Sequence, residues 1–294
     1  MKSKTIGEGV AMPRVNSLIV NYRTPELTLK CVSSILEKGV SVAEDIIVVE
    51  NASPDDSAAR LRDGLPAGVQ LVVAERNGGF SSGINVGAAH ATAPFLLVLN
   101  PDTYFIDTSI SKALDRFKDS EVGLVGLDLT YPNGERQYSA RRFYSVVDIV
   151  GRRTPLGKYW PLQGRIAQHM MLSAWKPGTP FEADWVMGTG FIIRRELFEA
   201  IGRMDEDYFL YMEDVDLCAR VWASGSKVEC VPGAVLIHDH QRASQSGALS
   251  KAGRMHLESL GVFRRKHRLP LFVPPSPHRI RRGSGTQKRA QATA

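Results

Sequence analysis

Four short apolar runs mark the first hundred residues of the chain. They are residues 15–20, 45–49, 69–74 and 95–99. A helical spacing of apolar residues follows each of the first three, beginning at Pro25 and then covering 55–65 and 81–91. The runs do not alternate with polar residues, which is typical of strands buried on both faces. Alternating strand and helix therefore predict an α/β fold with a mostly parallel central sheet and helices on both faces.

The pattern changes after about residue 105. Helices are predicted over 110–117, 196–201 and 215–224, and strands over 122–129, 185–194 and 227–237, the last as one strand or two. Residues 136–180 instead combine a group of arginines with two tryptophans and several prolines and glycines. This composition predicts an insertion that shapes a pocket or contacts a partner.

These patterns divide the chain into four segments. We predict an N-terminal extension at 1–14, a regular first half at 15–105, a second half at 106–262 that contains the insertion (about 136–180), and a basic, flexible C-terminal tail at 263–294.

The carboxyl ends of the four predicted strands are polar. These ends begin at Asn21, Glu50, Glu75 and Asn100. In open parallel sheets, ligands bind beyond the carboxyl ends of the strands. We therefore expect all four ends to line one crevice.

Composition limits the class of protein. With 294 residues and 43% apolar composition, the chain can bury a full core. The formal charge is +6, and nine Lys and Arg residues lie between 264 and 289 without an acid among them. This stretch is either a solvated tail or a surface that attracts anionic lipid headgroups or a polyphosphate substrate. No nucleic acid is expected as a partner, because the stretch lacks interleaved aromatic residues and the body lacks a recognisable reader module.

Cysteine content and hydropathy bear on location. Cys31, Cys218 and Cys230 lie far apart in apolar stretches, which predicts reduced core residues of a cytoplasmic protein. No stretch reaches the roughly 18–20 apolar residues that span a bilayer, and the N-terminus lacks an apolar signal core. Any membrane contact is expected to be peripheral, with anionic lipid at the inner face of the cell membrane.

Residues 76–87 form a glycine-rich loop after the third predicted strand. A dinucleotide-binding fold would place Gly-x-Gly-x-x-Gly directly after the first strand, so this position disfavours a nicotinamide-dependent oxidoreductase. The glycines either allow a helix to pack closely or let a ligand approach the backbone. Asn77 and Asn85 favour the second interpretation, because their amides can hold a ligand.

The sequence Asn100-Pro101-Asp102 follows the fourth apolar run. Carboxylates two residues apart at a strand end can hold a divalent cation against phosphate oxygens. Here the first position is an amide, which contributes no negative charge. His238 ends another apolar run and is followed by Arg242 and Ser244, which are natural phosphate partners. We therefore predict that His238 supplies the ligand that the triplet lacks.

A third polar group begins at Glu213. Glu213 and Asp214 follow the aromatic stretch 208–211 and start a predicted helix. Acids at a helix start favour the helix dipole, and this effect explains many such clusters. A carboxylate screened from water by aromatic side chains is also a plausible general base.

Seven short motifs occur in a fixed order between about residues 15 and 245. They are Val20-Asn21-Tyr22, Val49-Glu50-Asn51-Ala52-Ser53, Asn77-x-Gly79-Phe80-x-x-Gly83-x-Asn85-x-Gly87, Leu99-Asn100-Pro101-Asp102, Gly188-x-Gly190-Phe191, Glu213-Asp214-Val215-Asp216-Leu217-Cys218, and His238 with Arg242 and Ser244. This ordered set resembles the family 2 glycosyltransferases, inverting enzymes with the nucleotide-sugar-binding GT-A fold. It is most similar to bacterial rhamnosyltransferases, which add L-rhamnose from dTDP-L-rhamnose to a polyprenyl-diphosphate-linked saccharide in cell-wall or O-antigen assembly.

The resemblance implies which parts of the chain bind each substrate. Residues 15–105 would bind the nucleotide-sugar donor, and residues 106–262 would bind the acceptor and carry out catalysis. The nucleotide-sugar site would include Asn21, Tyr22, Glu50, Asn51, Asn77, Gly79, Asn85, Asn100 and Arg242. Glu50 would accept a hydrogen bond from the pyrimidine base, at a position where the family usually has Asp, and Arg242 would face the diphosphate.

The resemblance also implies the catalytic groups. Asp102 would be the main carboxylate ligand of Mg²⁺ or Mn²⁺, with Asn100 at a position more often occupied by Asp, and His238 would complete the metal site. Asp214 would be the base that deprotonates the acceptor hydroxyl, and Glu213 would be the next candidate. Two alternatives stay open: a UDP- or GDP-sugar donor, and a nucleotide-sugar-binding module without catalytic activity.

Overall fold

The structure is a computed structural model that describes residues 13–153, 159, 161–239, 251–267 and 269–280. The strands are β1 (Val15–Asn21), β2 (Ile46–Glu50), β3 (Gln70–Val73), β4 (Phe95–Leu99), β5 (Thr103–Tyr104), β6 (Val122–Thr130), β7 (Ala140–Arg141), β8 (Phe181–Glu182), β9 (Trp185–Val186), β10 (Gly190–Arg194) and β11 (Lys227–His238). The helices are α1 (Pro25–Glu37), α2 (Ser57–Gly64), α3 (Gly79–Ala88), α4 (Ser111–Asp115), α5 (Val146–Arg153), α6 (Leu162–His169), α7 (Arg195–Ala200), α8 (Glu213–Ala223) and α9 (Lys251–Lys266).

The first four strands of the main sheet are parallel, in the order β3-β2-β1-β4. Both faces of β1, β2 and β4 are buried, whereas the edge strand β3 is partly exposed. Leu18 and Val20 of β1 pack in one hydrophobic core with Ile84 of α3, whereas Val15 and Ile19 pack in a second core with residues of α1. Two buried faces explain why these strands are apolar throughout, and the predicted α/β class is confirmed.

The other half of the main sheet is mixed. The order continues from β4 through β10, β6 and β11 to β5, and β8 also pairs with β11. β10 is antiparallel to β4 and β6, while β11 is parallel to β6. The prediction of a mostly parallel sheet thus holds for the first half only. Antiparallel neighbours need no crossover helix, so the chain between β6 and β10 is free to carry the insertion.

The predicted insertion at 136–180 contains α5, α6 and the short strand β7. β7 pairs with β9 in a separate two-stranded sheet, with Arg141 opposite Trp185. The predicted strand at 185–194 is broken between β9 and β10. Its middle residues, Gly188 and Thr189, use backbone groups in contacts outside the ladder, and these contacts belong to the candidate site below.

The described part of the predicted C-terminal tail is folded against the body. The Val146 N–H donates to the Pro270 carbonyl oxygen over 3.0 Å, and the Val147 N–H donates to that of Leu271 over 3.2 Å. The ring of His278 lies 5.8 Å from that of Trp222. The described residues of the predicted tail thus contact the body as far as Ile280, while its flexibility stays a prediction; residues 281–294 lie outside the described residues.

Two further predictions concern cysteines and membrane spans. Cys31, Cys218 and Cys230 are buried and form no disulfide. Within the described ranges, no helix combines the length and apolar character required to cross a bilayer.

Candidate functional site

The carboxyl ends of β1 and β4 meet where the strand order reverses. β1 pairs in parallel with β2 on one side and with β4 on the other. An open sheet provides a ligand crevice at such a reversal. Asn21 ends β1 and Asn100 follows β4, so both predicted polar ends lie at this crevice.

Asp102 and His238 come together at the same edge. His238 ends β11 opposite Thr103 of β5, and the Asp239 N–H donates to the Asp102 carbonyl oxygen over 2.9 Å. The side chains face each other, with 3.4 Å between His238 Nε2 and Asp102 Oδ2. The structure thus brings together the two residues that the sequence singled out as metal ligands.

Gln137 fixes which nitrogen of His238 faces Asp102. Gln137 Nε2 donates to the His238 carbonyl oxygen over 2.8 Å, which leaves Gln137 Oε1 at 2.7 Å from His238 Nδ1. Because an amide oxygen only accepts, Nδ1 carries the proton of the neutral ring. The lone pair of Nε2 then points toward Asp102, as it does in histidines that bind metals.

The pair of side chains fits a divalent cation. Asp102 Oδ1 is buried and has no hydrogen-bond partner among the described residues. Carboxylate oxygen and unprotonated imidazole nitrogen both suit Mn²⁺. In the part of the chain that the structure describes, no cluster of three or more His, Cys, Asp or Glu side chains suits a metal ion. A cation at Asp102 and His238 would therefore complete its shell with water and substrate phosphate, a pattern usual for Mg²⁺.

Glu213 and Asp214 begin α8 and differ in environment. Glu213 is 6% exposed, and its Oε2 has no hydrogen-bond partner among the described residues. Burial, with the neighbouring charge of Asp214, raises the pKa of Glu213 well above its usual range, so Glu213 holds its proton. Asp214 is half-buried and accepts from the Gly188 and Val215 N–H groups over 3.0 and 2.8 Å.

The pKa of Asp214 is also raised by burial, while its two backbone donors and the positive charge of Arg141 oppose that effect. Of the two adjacent acids, Asp214 is the one whose charged form is stabilised by neighbouring donors and a cation, so it ionises more readily. A carboxylate whose pKa is raised is better matched to accepting a proton near neutral pH.

One short segment connects Asp214 with the Asn100-Pro101-Asp102 turn. The Gly188 N–H donates to Asp214 Oδ2, and the carbonyl oxygen of the next residue, Thr189, accepts from the Asn100 N–H over 3.0 Å. The break between β9 and β10 therefore positions the candidate base beside the candidate metal ligands.

On the β1 and β2 side of the crevice, buried polar groups stabilise the turns. Asn21 is fully buried, and its Oδ1 accepts from the Thr28 hydroxyl over 2.9 Å. Glu50 is also buried, and its Oε1 accepts from the Ser53 N–H over 2.9 Å. Tyr22 is 42% exposed, so its ring is the more accessible surface beside Asn21.

Asn51 and Asn77 form a network with the start of α3. Asn51 Nδ2 donates to Asn77 Oδ1 and to the Gly79 carbonyl oxygen, over 3.1 and 3.0 Å. The Gly79 N–H donates to Asn77 Oδ1 over 2.9 Å. These contacts join the ends of β2 and β3 into one wall of the crevice.

Asn85 has different contacts from those that the sequence suggested. Its Nδ2 donates to the Met204 carbonyl oxygen and to Glu206 Oε1 over 2.9 and 2.8 Å, and its Oδ1 accepts from the Met204 N–H over 2.9 Å. Both ends of the amide are engaged with the protein. In this structure Asn85 thus fastens α3 to the loop after α7 and does not present a free amide to a ligand.

The glycines of the 76–87 loop allow close packing. A Cβ on Gly83 would lie 2.7 Å from a Val20 methyl carbon, and one on Gly87 would lie 3.1 Å from a Val49 methyl carbon. Gly79 has φ +86°, and a Cβ there would lie 2.1 Å from the Phe209 carbonyl oxygen. The structure supports the helix-packing interpretation for these glycines.

Comparison with known proteins identifies the family. The family model for glycosyl transferase family 2 matches residues 18–202, more than half of the chain. The chain belongs to glycosyl transferase family 2. The predicted family is confirmed.

Proteins similar to this chain include two named as rhamnosyltransferases. The N-acetylglucosaminyl-diphospho-decaprenol L-rhamnosyltransferase of Mycobacterium tuberculosis is 29% identical over 225 residues, which cover 72% of this chain and 71% of that protein. The rhamnosyltransferase WbbL of Escherichia coli is 37% identical over 76 residues, which cover 26% of this chain and 28% of WbbL. The O-antigen biosynthesis protein RfbC of Myxococcus xanthus is 26% identical over 246 residues, covering 82% of this chain but 18% of RfbC.

Solved glycosyltransferase structures share the fold. The mannosyltransferase PcManGT from Pyrobaculum calidifontis, in complex with GDP-Man and Mn²⁺, superposes with a TM-score of 0.61 at 17% identity, over 97% of this chain and 76% of that one. GalNAc-T7 with UDP, GalNAc and Mn²⁺ has a TM-score of 0.60 at 17% identity, and the match covers 86% of this chain and about half (48%) of that chain. These likenesses confirm the predicted GT-A fold.

Two candidate residues cannot be placed in the structure, and two residues near the site belong to none of the family motifs. Arg242 and Ser244 lie outside the described residues. Conversely, Gln137 and Arg141 lie close to site residues but belong to no motif recognised in the sequence. The composition of the insertion, with its arginines, tryptophans, prolines and glycines, predicted that it shapes a pocket or contacts a partner, but no spacing linked Gln137 to a histidine 101 positions later.

Proposed function

We propose that this glycosyltransferase transfers L-rhamnose from dTDP-L-rhamnose, with inversion, to a hydroxyl of a polyprenyl-diphosphate-linked saccharide in cell-envelope polysaccharide assembly. The donor and acceptor are supported by the relatives, since the M. tuberculosis protein is an N-acetylglucosaminyl-diphospho-decaprenol L-rhamnosyltransferase. The reaction type is supported by the position of Asp214.

The observation that carries the proposal is the link between Asp214 and the Asp102 turn. A half-buried carboxylate lies one short segment away from a carboxylate–imidazole pair that suits a cation. A transferase needs this combination: a base for the acceptor hydroxyl and a site for the diphosphate of the leaving nucleotide.

The proposed reaction is a single displacement. Asp214 accepts the proton of the acceptor hydroxyl, and the hydroxyl oxygen attacks the anomeric carbon from the face opposite the nucleoside diphosphate. One displacement inverts the anomeric configuration, by the stereochemical logic of single-step glycosidases. When bound at Asp102 and His238, Mg²⁺ or Mn²⁺ supplies positive charge that balances the diphosphate.

The remaining residues of the donor site have supporting roles in this proposal. Tyr22 contacts the nucleotide from its exposed position, Asn100 faces the donor beside Asp102, and Arg242 faces the diphosphate. Glu50 accepts a hydrogen bond from the pyrimidine base. Asn21, Asn51, Asn77, Gly79 and Asn85 shape the walls of the nucleotide-sugar site.

A donor panel tests the proposal. Purified protein would be mixed with dTDP-L-rhamnose, dTDP-glucose, UDP-N-acetylglucosamine or GDP-mannose, with Mn²⁺ or with EDTA, and heat stability would be followed. A ligand that binds only the folded state raises its stability, so dTDP-L-rhamnose with Mn²⁺ should give the largest increase in Tm. The same mixtures would then receive N-acetylglucosaminyl-diphospho-polyprenol, and the expected product is the rhamnosylated acceptor.

The outcomes separate the alternatives. Stabilisation and transfer by a UDP- or GDP-sugar alone would overturn the donor assignment but keep the reaction. Binding of a nucleotide-sugar without transfer or slow hydrolysis would identify a binding module without catalytic activity. Full activity in EDTA would remove the cation from the proposal.

The proposed acceptor would bring the protein to a membrane surface. Leu271, Phe272 and Val273 are 56%, 60% and 74% exposed, and three consecutive exposed apolar side chains are unusual on a surface that meets only water. We propose that this apolar loop, together with the basic residues after Ile280, contacts the anionic membrane peripherally.

A further inference from the structure

Arg141 is a buried cation that forms no ion pair with any carboxylate of the described residues. It lies in β7, with 8% of its surface exposed. Its guanidinium donates to the sulfur atoms of Met170 and Met187, the latter over 3.6 Å. Thioether sulfur is a weak acceptor. Among the residues that the structure describes, no carboxylate lies within ion-pair distance of Arg141.

Three other arginines of the chain are paired with buried acids. Arg116, Arg136 and Arg165 each donate to a buried carboxylate, those of Glu229, Asp128 and Asp148. Burial and the nearby charge of Arg152 lower the pKa of Arg141 to about 10, which leaves it charged at neutral pH. The described partners of the guanidinium are two thioether sulfurs and the face of the Trp185 ring, 5.9 Å from its centroid. A buried charge that has such weak partners and no ion pair is unfavourable for folding, so its presence favours a functional explanation.

A second arginine lies beside Arg141. Arg152 of α5 is exposed, its Nη1 lies 3.2 Å from His169 Nε2, and it hydrogen-bonds the Tyr144 side chain. His169 offers no compensating charge, because burial and the two arginines lower its pKa to about 3 and keep it neutral. Asp148 of the same helix is already bound by Arg165.

Arg141 is connected to the candidate base through the short segment between β9 and β10. Arg141 is opposite Trp185 of β9, and the chain then continues through Met187 to Gly188, whose N–H holds Asp214. Arg141 Nη2 lies 3.6 Å from the sulfur of Met187, and the N–H of the next residue, Gly188, donates to Asp214 Oδ2 over 3.0 Å, so a two-residue backbone segment joins Arg141 to the candidate base. The candidate metal ligands instead lie at the ends of β4 and β11, on the main sheet.

We propose that Arg141 and Arg152 bind a phosphate or diphosphate group of the acceptor, separate from the diphosphate of the donor. Guanidinium groups bind phosphate oxygens in pairs of parallel hydrogen bonds and stay charged when partly buried. A phosphate beside Asp214 would hold the acceptor with its hydroxyl close to the base. This inference rests on the proposed transferase function and names the chemistry of its acceptor.

The first test measures anion binding without activity. Inorganic pyrophosphate would be titrated calorimetrically into the full chain in EDTA, which removes any divalent cation from Asp102 and His238. Arg141→Met and Arg152→Gln should each weaken binding about tenfold or more, because charge-assisted hydrogen bonds are lost. Arg142→Gln is the matched control, since Arg142 adjoins Arg141 but is exposed, and it should bind within about twofold of the unaltered chain. Unchanged binding by Arg141→Met, or equal weakening in all three variants, would overturn the proposal.

The second test separates acceptor from donor. dTDP would be titrated with Mn²⁺, and Arg141→Met should leave its Kd within about twofold, as expected for a site distinct from that of the nucleotide. A large loss of dTDP affinity would assign the arginines to the donor diphosphate instead and overturn the acceptor assignment.

The third test uses transfer. With an N-acetylglucosaminyl-diphospho-prenol acceptor, Arg141→Met should raise the acceptor KM about tenfold or more, and the KM of dTDP-L-rhamnose should not change. Because the charge of Arg141 also favours the ionised form of Asp214, transfer is compared at alkaline pH, where Asp214 is ionised in both proteins; there, transfer to an alkyl N-acetylglucosaminide without phosphate should fall far less in Arg141→Met than transfer to the phosphorylated acceptor. Equal losses with both acceptors would overturn the proposal. If the unaltered chain transfers to neither acceptor while the pyrophosphate result holds, the proposed function fails and the anion site stands.

The Tm of each variant shows whether it is folded. Because Arg141 forms no ion pair with any carboxylate of the described residues, Arg141→Met should have a Tm equal to or above that of the unaltered chain. A clearly lower Tm would show a structural role for Arg141. Arg152→Gln, at an exposed position, then still tests the same site.

Discussion

At the scale of single residues, the adjacent acids Glu213 and Asp214 differ in environment, and this difference favours a structural role for Glu213 and a catalytic role for Asp214. Glu213 is buried, which raises its pKa well above the usual range, whereas Asp214 is half-buried and held by two backbone N–H groups. The sequence alone showed two consecutive acids after an aromatic stretch, and the family resemblance favoured Asp214. Burial supplies the physical reason for that choice.

Asp214→Asn should reduce transfer by about 10³-fold or more, because the amide cannot accept the hydroxyl proton. Donor affinity should change little, since the Asn side chain still accepts from the Gly188 N–H.

In the unaltered chain, kcat/KM should rise with pH as Asp214 deprotonates, with a midpoint above the ordinary Asp pKa of about 3.9, since burial raises the pKa of this group. Initial-rate measurements across pH check both expectations. Glu213→Gln is the control and should stay active; near-normal turnover by Asp214→Asn would instead exclude it as the base.

Gln137→Leu should weaken Mn²⁺ binding by about 10–100-fold, the usual effect of losing a group that orients a metal ligand. Leu keeps the approximate volume but removes the oxygen that holds His238 Nδ1. Calorimetric titration of Mn²⁺ in the presence of dTDP measures the effect, and exposed Gln163→Leu provides the control. If Gln137→Leu bound Mn²⁺ as tightly as the unaltered chain, Gln137 would have no role in positioning His238.

Polar residues of the crevice divide into those that the sequence placed correctly and those that it did not. The meeting of Asp102 with His238 was predictable, since both follow apolar strands whose carboxyl ends share an edge. The contacts of Asn85 were not, because they depend on the loop after α7, more than 100 positions away in sequence. Arg141 could not be singled out either, because its partners among the described residues are set by tertiary packing, which the spacing of residues along the chain does not reveal.

At the scale of elements, the start of α3 and the loop before α8 are held together by backbone contacts. The Phe80 N–H donates to the Phe209 carbonyl oxygen over 2.9 Å. Shortly after this contact, Tyr211 and Met212 have φ values of 73° and 68°, in the left-handed region that non-glycine residues seldom adopt. Such strain is retained where surrounding structure imposes it, often at functional sites. The contact between the start of α3 and Phe209 thus helps to hold the turn at Tyr211 and Met212, which directly precedes Glu213 and Asp214.

Gly79→Ala should destabilise the fold by about 3 kcal/mol or more, since it combines an unfavourable φ with an overlap against the Phe209 carbonyl group. Gly134→Ala is the matched control, because Gly134 has a similar φ of +83° but open space around its Cβ position. Its expected cost is only about 1 kcal/mol. Urea unfolding of both variants provides the comparison. Equal losses of stability would show that the contact with Phe209 adds nothing beyond the backbone conformation.

Prediction of elements succeeded where periodicity was regular. β1, α1 and β4 begin where the apolar pattern begins, because strands buried on both faces and a helix opened by Pro25 leave strong local signals. The interval 185–194 was predicted as one strand, yet Gly188 and Thr189 turn their backbone groups to Asp214 and Asn100. A local apolar pattern cannot reveal that a tertiary hydrogen bond interrupts the ladder.

At the scale of the whole molecule, the proposed acceptor site and an exposed apolar surface lie on neighbouring elements. Val146 and Val147 of α5 bind the backbone of Pro270 and Leu271, and Arg165 Nη2 donates to the Phe272 carbonyl oxygen over 2.6 Å. The backbone of the 271–273 loop is thereby fixed while its side chains point to solvent. Arg152 belongs to the same helix α5. A lipid-linked acceptor could therefore place its diphosphate at the arginines and its prenyl chain toward this loop.

Membrane contact has two separable parts in this arrangement. A triple variant should be retained less on vesicles at both low and high salt, because it loses apolar burial in the bilayer interface. Its substitutions are Leu271→Ser, Phe272→Ser and Val273→Ser. A chain ending at Ile280 keeps the folded contacts of the 269–280 segment but loses Arg281, Arg282, Lys288 and Arg289, so it should lose the salt-sensitive part of binding to anionic lipid.

Co-sedimentation with phosphatidylcholine vesicles, with and without phosphatidylserine, at low and high salt distinguishes these two contributions. Val273→Ser can be compared with Val42→Ser, because Val42 is similarly exposed at 61% but precedes β2, at the end of the sheet opposite the crevice. Only Val273→Ser should reduce retention, because only its side chain would enter the bilayer interface. If the triple variant and the shortened chain both sediment with anionic vesicles as the unaltered chain does, the proposed membrane contact is wrong, and the acceptor must reach Arg141 and Asp214 from solution.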